Sequence, residues 1–166
     1  MKKVLLILFV LAILLLAFPQ GVLAATFPSN DVVINAEFGT ATSFNAQKST
    51  TAFPDTWGLK PGENNQVDEG INFFLTTQSN GWSVTAESAN NGFMTGGLQN
   101  LQSPFLVYST TAGNYVAPTG GVQIKGGDAL NTNQDWNANI RQPVALNDIG
   151  ADLWTITIVF TCSAGF

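Results

Sequence analysis

The segment from Leu153 to Cys162 (LWTITIVFTC) constrains the fold of this chain more than any other. It alternates strictly, with Trp154, Ile156, Ile158, Phe160 and Cys162 on one side and Thr155, Thr157, Val159 and Thr161 on the other. A period of two, built from β-branched and aromatic residues, specifies a half-buried β-strand. Beyond residue 24 no segment carries a sustained helical period. The chain reads as short alternating apolar runs separated by Gly, Asn, Pro and Asp. Val32 to Phe38, Ile71 to Thr77, Trp82 to Ser88, Phe105 to Thr110, Val122 to Lys125 and residues 138–146 are the other candidate strands, the last pushed toward an edge or bulge by Pro143.

Two hairpins are expected. Asn80-Gly81 is the strongest short hairpin signal, because both central residues must tolerate positive φ, so residues 71–88 read as one hairpin. The turn over 147–152 would join 138–146 to the terminal strand as another. About seven short strands predict an all-β chain: a single two-sheet antiparallel β-sandwich, immunoglobulin-like or Greek key, with Trp82, Phe105, Trp154 and Ile158 in its core. Residues 39–66 are the least strand-like, reading as one or two short strands or a long surface loop.

The other end of the chain bears on where the protein works. Lys2 and Lys3 precede an apolar run of 15 residues from Val4 to Phe18, then the small-residue exit Val22-Leu23-Ala24. A bilayer-spanning helix needs roughly 20 residues. Residues 1–24 therefore read as a secretory signal peptide cleaved after Ala24, with a retained N-terminal anchor as the alternative. Residues 25–166 form the single sandwich domain, and the expected location is secreted or at the cell surface.

Composition narrows the function. From residue 25 onward four bases (Lys48, Lys60, Lys125, Arg141) stand against 11 acids, a formal charge of −7. Nucleic acid and anionic lipid are poor partners for such a surface. The chain has no histidine, which excludes Ser-His-Asp and Cys-His catalysis and histidine zinc sites. No catalytic residue, cofactor or enzyme activity is expected. Charged residues are only 10% of the chain, so a β-rich surface has little to oppose self-association.

Four residue groups carry a possible function beside a plain structural reading. Asn131, Asn133 and Asp135, with Asp128 upstream, space oxygen ligands as calcium loops do, but Trp136 and Gln142 stand where an EF-hand needs Gly and Glu. An Asx-rich turn accounts for the same residues. The acidic patch of Asp55, Glu63, Asp68 and Glu69 has the groups for glycosidic chemistry, or is a solvated loop. Trp57 and Trp136 lie in loop-like contexts, open for glycan contact or packed under loops. Cys162, the one cysteine, is a candidate intermolecular disulfide or a small buried side chain. The glycine pairs at 96–97, 120–121 and 126–127 lack the strand–helix setting of a phosphate loop and read as turns.

Asn80-Gly81-Trp82-Ser83-Val84-Thr85-Ala86, followed by Asn91-Gly92-Phe93-Met94-Thr95, and the closing Leu153 to Thr161 together resemble secreted β-sandwich surface proteins of archaea. In those, a Gly-Trp-x-Val strand sits mid-domain and an Ile-Thr-Ile-x-Phe-Thr strand ends the chain. The pattern is more distantly similar to the WxL cell-surface domain of Gram-positive bacteria, whose two Trp-x-Leu positions hold Trp82-Ser83-Val84 and Phe160-Thr161-Cys162 here. The resemblance implies a β-sandwich at the cell surface and carries over no catalytic residue. The expected role is a structural cell-envelope protein, a subunit or component of a surface layer, sheath or fibre. Its partners would be other copies or other envelope proteins. Assembly would run through strand edges, with Val32, Val33 and Ile34, or Trp154, Ile156, Ile158 and Phe160 of the terminal strand, as the donor. The alternative is a monomeric adhesion or glycan-binding module that holds cell-surface polysaccharide.

Overall fold

A computed structural model describes residues 31–38, 43–53, 57–77, 81–127, 134–148 and 153–164. The expected signal peptide lies outside them. Every regular element among the described residues is a strand. Six form one sheet: β1 (Asp31–Phe38), β4 (Trp82–Glu87), β5 (Thr95–Gly96), β6 (Gln99–Asn100), β9 (Val122–Gly127) and β11 (Thr155–Ala164). Five form the other, in the order β2 (Ser43–Lys48), β3 (Asn64–Thr76), β10 (Gln134–Pro143), β7 (Leu106–Ser109) and β8 (Asn114–Val116). The sheets are antiparallel and pack as the expected sandwich, with one exception: β1 runs parallel to β11.

The alternating patterns decide which faces turn inward. Trp82, Val84 and Ala86 of β4 are buried, as are Trp154 and then Ile156, Ile158, Phe160 and Cys162 of β11. Ile71, Phe73 and Leu75 of β3 answer them from the opposite sheet. The layers meet at Phe73 and Phe160, whose rings lie edge to face at 4.9 Å between centroids. Each fully buried side chain of this size contributes about 1.5–3 kcal/mol relative to exposure.

Neither expected hairpin forms. β3 and β4 lie in different sheets, and so do β10 and β11. A hairpin would place both apolar faces on the same side of one sheet. Here the chain crosses between layers after Thr77, which is fully buried, so that β3 and β4 present their apolar faces to each other. Asn80, on which the first hairpin rested, lies outside the described residues. Among the described residues, short hairpins form at β5–β6, turning at Gly97 with φ +60°, and at β7–β8, and β2 pairs antiparallel with β3 across a longer connection.

The remaining expectations need smaller corrections. The stretch 39–66 contributes β2, the first residues of β3, and the buried side chains of Trp57 and Leu59. Gly126 and Gly127 belong to β9, paired with Ser83 and Trp82, and are not a turn. Between β3 and β10 the register slips: Val67 faces Ile140 and Ile71 faces Ala138, which leaves a bulge at Asp68, Glu69 and Gly70. Two buried amides tie down the connections at this end. Asn65 accepts from the Lys60 N–H at 2.8 Å and donates to the Gln142 carbonyl at 3.2 Å, while Gln142 donates to the Ser103 carbonyl at 3.0 Å.

Candidate assembly interface

β1 is an edge strand of eight residues. It pairs in continuous register with β11 from Asp31 opposite Thr155 to Phe38 opposite Cys162. The Asp31 N–H donates to the Trp154 carbonyl at 2.9 Å. Strand alternation then turns the N–H groups of Asp31, Val33 and Asn35 toward β11 and those of Val32, Ile34 and Ala36 away from it. No other strand pairs with that outer side among the described residues. The side chains divide the other way. Val32 is fully buried and Ile34 and Ala36 pack partly against the core, while Val33 is 39% exposed. One ion pair anchors the start of the strand, Lys48 Nζ to Asp31 Oδ1 at 2.7 Å, with both side chains well exposed.

Natural sheets blunt such an edge with lysine, proline, a bulge or a very short strand. β1 has no lysine or proline, its charged residues are confined to Asp31 and Glu37 near its two ends, and its register is unbroken. The terminal strand is differently placed. β11 has β1 along one edge and β4 and β5 along the other, so it sits inside its sheet. Trp154, Ile156, Ile158 and Phe160 are 0–3% exposed. In the folded chain they are core, and β11 is flanked by strands on both sides, with only Ile156, Thr157 and Ile158 lacking a strand partner on the β4 side among the described residues. Of the two candidate donors only the Val32-Val33-Ile34 segment lies at an edge.

Cys162 is likewise core. Its side chain is fully buried on the inward face of β11, and burial pushes its thiol from the ordinary 9.0 up to about 11. A bridge between two native chains would require β11 to open, so the expected intermolecular disulfide has no accessible thiol in this fold.

The two loop tryptophans part company. Trp57 is 5% exposed, its ring set edge-on to Phe53 at 5.5 Å and to Phe105 at 6.2 Å, and it packs beneath the loop rather than offering a face to a glycan. Trp136 lies in β10, not in a loop. One face of its half-buried ring stacks on Phe73 at 4.9 Å and 6° between planes, and Lys125 Nζ lies 5.2 Å from its centroid.

Asp128, Asn131 and Asn133 of the candidate calcium loop lie outside the described residues, as does Asp55. Asp135 is an exposed strand residue opposite Phe74. No cluster of metal-ligating side chains occurs among the described residues. The acidic patch is spread along exposed turn and strand positions: Glu63 lies 3.9 Å from Lys60, and Asp68 accepts from Gln66 at 2.6 Å.

One surface feature went unread in the sequence. The Arg141 guanidinium lies 3.9 Å from the Tyr115 centroid and donates to Gln66 Oε1 at 2.7 Å. Outward alternation in β3 and β10 would have found Gln66 and Arg141 separately. Their pairing depends on a register slipped by the bulge.

No protein-family model matches the chain, and no curated protein matches it in sequence.

Proposed function

We propose that the protein is an exported structural component of the cell envelope, a subunit of a surface layer, sheath or fibre that assembles by pairing strand edges. The observation that supports this is β1: an unbroken, eight-residue, lysine-free edge at the N-terminal end of the described chain. Such an edge pairs with a strand of a second copy unless something prevents it. The low charge of the chain, 10% of residues, removes the usual deterrent. The export reading of residues 1–24 places the assembly outside the cytoplasm.

The test is negative-stain electron microscopy with light scattering on the purified protein and on Ala36→Pro. Proline at 36 deletes an N–H that faces the open edge and leaves the ladder to β11 intact. Fibres, sheets or rings from the wild type, and a single-chain mass with an unchanged circular dichroism spectrum from Ala36→Pro, are expected. A wild-type protein that stays at the single-chain mass at every concentration overturns the proposal.

A further inference from the structure

The end of the sandwich where β4 meets β9 holds an open, shallow cavity of about 350 Å³, lined among the described residues by Trp82, Thr110, Thr111, Gln123, Gly126 and Gly127. Its wall is built by three bonds that tie the end of β7 to β9. The Ser109 hydroxyl donates to the Gln123 carbonyl at 3.0 Å, and the Thr110 N–H and hydroxyl donate to the Ile124 carbonyl at 2.9 and 3.3 Å. The volume falls at the small end of the range for small-molecule sites, about 300–1,000 Å³.

Trp82 is 7% exposed, and its indole Nε1–H has no hydrogen-bond partner among the described residues. An orphaned buried donor is uncommon and calls for an explanation. Gly127 lies beside that donor. A Cβ at 127 would stand 3.1 Å from Nε1, Cε2 and Cζ2 of Trp82, so any side chain there would press on that indole edge. A Cβ at 126 would stand 2.6 Å from Gln123 Nε2 and 3.1 Å from the Trp82 carbonyl. Two successive glycines weaken a strand, and glycine inside a strand often marks a bulge, such as the register shift between Val84 and Thr85 on the partner strand, or the close approach of a ligand or another backbone. The Gln123 side-chain amide makes no hydrogen bond to any described residue.

We infer that this cavity binds a neutral sugar residue, a hydroxyl of which accepts from the Trp82 indole while a second pairs with the Gln123 amide. The lining selects the chemistry. It offers an indole donor, an amide that both donates and accepts, and two hydroxyl side chains, which together match a polyhydroxylated ligand. No charged side chain among the described residues lines it, so none of them compensates an anion or a cation there. The nearest lysine along β9, Lys125, is set over Trp136 instead. The inference stands independently of strand-edge assembly.

The test follows the four tryptophan indole N–H resonances of the ¹⁵N-labelled protein, with Trp82 assigned through Trp82→Phe. The probes are glucose, galactose, mannose and N-acetylglucosamine as free monosaccharides, and in a second arm neutral oligosaccharides of the same sugars. A saturable shift of the Trp82 resonance with the monosaccharides supports a terminal-residue site. A shift with oligosaccharides alone supports a site that reads a polysaccharide chain. Gln123→Ala should weaken binding about five- to tenfold, the loss of one or two hydrogen bonds. Gly127→Ala should abolish it; the melting temperature of Gln123→Ala should stay near that of wild type, while that of Gly127→Ala should fall, so its binding is read well below its melting transition. The inference is overturned if no sugar in either arm moves the Trp82 resonance, if only acetate or phosphate does, or if both variants bind as wild type does.

Discussion

Phe73 and Trp136, opposite one another on β3 and β10, stack at 4.9 Å with their planes within 6°. The same Phe73 ring meets Phe160 edge-on at 4.9 Å and is wholly buried, so it joins the two sheets. Phe73→Ala should cost about 3–5 kcal/mol of unfolding free energy. A cycle of Phe73→Leu, Trp136→Leu and the double variant should give a coupling of about 0.5–1.5 kcal/mol in urea unfolding, the value of an aromatic pair beyond its burial. A coupling near zero would mean that Trp136 does not depend on Phe73 for its place, and would return it to consideration as a free glycan platform.

The bulge between β3 and β10 yields an ordered series. Glu69 sits at φ +54°, a region costing a non-glycine residue roughly 1–2 kcal/mol, and its N–H donates to Asn139 Oδ1 at 2.8 Å. Glycine at 69 relieves that strain but adds about 0.5–1 kcal/mol of chain entropy, so Glu69→Gly should stabilise by up to about 1 kcal/mol. Asn139→Ala should destabilise by about 1 kcal/mol. Gly70→Ala should be worst, about 1–3 kcal/mol, because its Cβ would stand 2.9 Å from Ile140 Cγ1 and 3.2 Å from Val67 Cγ1. Denaturation midpoints should rank Glu69→Gly, wild type, Asn139→Ala, Gly70→Ala. A different ranking means that the bulge is held by something other than these contacts.

The difference between what was legible and what was not follows from the range of each signal. The inward faces of β4 and β11 follow from the period-two pattern of Trp82 to Glu87 and Thr155 to Cys162, because alternation is a local property that burial enforces. Sheet membership is not local. Asn80-Gly81 reads as a hairpin from its own chemistry, yet the partner of β4 is β11, some 75 residues away in sequence, and the partner of β1 is that same strand, entered from the opposite direction. Trp57 lies in an irregular segment with no period to reveal that its ring meets Phe105. Gly126 and Gly127 look like turn residues in the sequence; only their pairing with Ser83 and Trp82 shows that a side chain at 127 would press on the Trp82 indole.

Cys162 makes the protein sensitive to alkali. Its thiol is held at about 11 against an ordinary 9.0, so the folded state keeps a proton that the unfolded state gives up between those values. The thiol therefore contributes its full stabilisation below pH 9, and this is lost as pH rises from about 9 to about 11. Unfolding free energy measured across that window should fall more steeply in the wild type than in Cys162→Ala, which has no thiol to titrate. In the native protein at neutral pH a thiol reagent should react only at the rate of unfolding, and non-reducing gels should show single chains. Rapid labelling would place Cys162 at an accessible position and restore the interchain bridge.

Adjacent valines in β1 should separate folding from assembly. Val32 is fully buried against the core, whereas Val33 points outward and is 39% exposed. Val32→Ala should therefore lower stability by about 1–3 kcal/mol and lower Tm, while leaving the edge able to pair at low temperature. Val33→Lys should change stability by no more than about 0.5 kcal/mol, since a lysine there reaches solvent freely. Its charge repeats on every copy, however, and lysine on an edge strand opposes pairing with another chain. Sedimentation of the assembled fraction against Tm for the two variants gives the answer. Val33→Lys should lose the assembled fraction at an unchanged Tm, and Val32→Ala should keep it at a lower one. If both variants assemble in proportion to their stability alone, the β1 edge is a structural margin of the sandwich and the contact between copies lies on another surface.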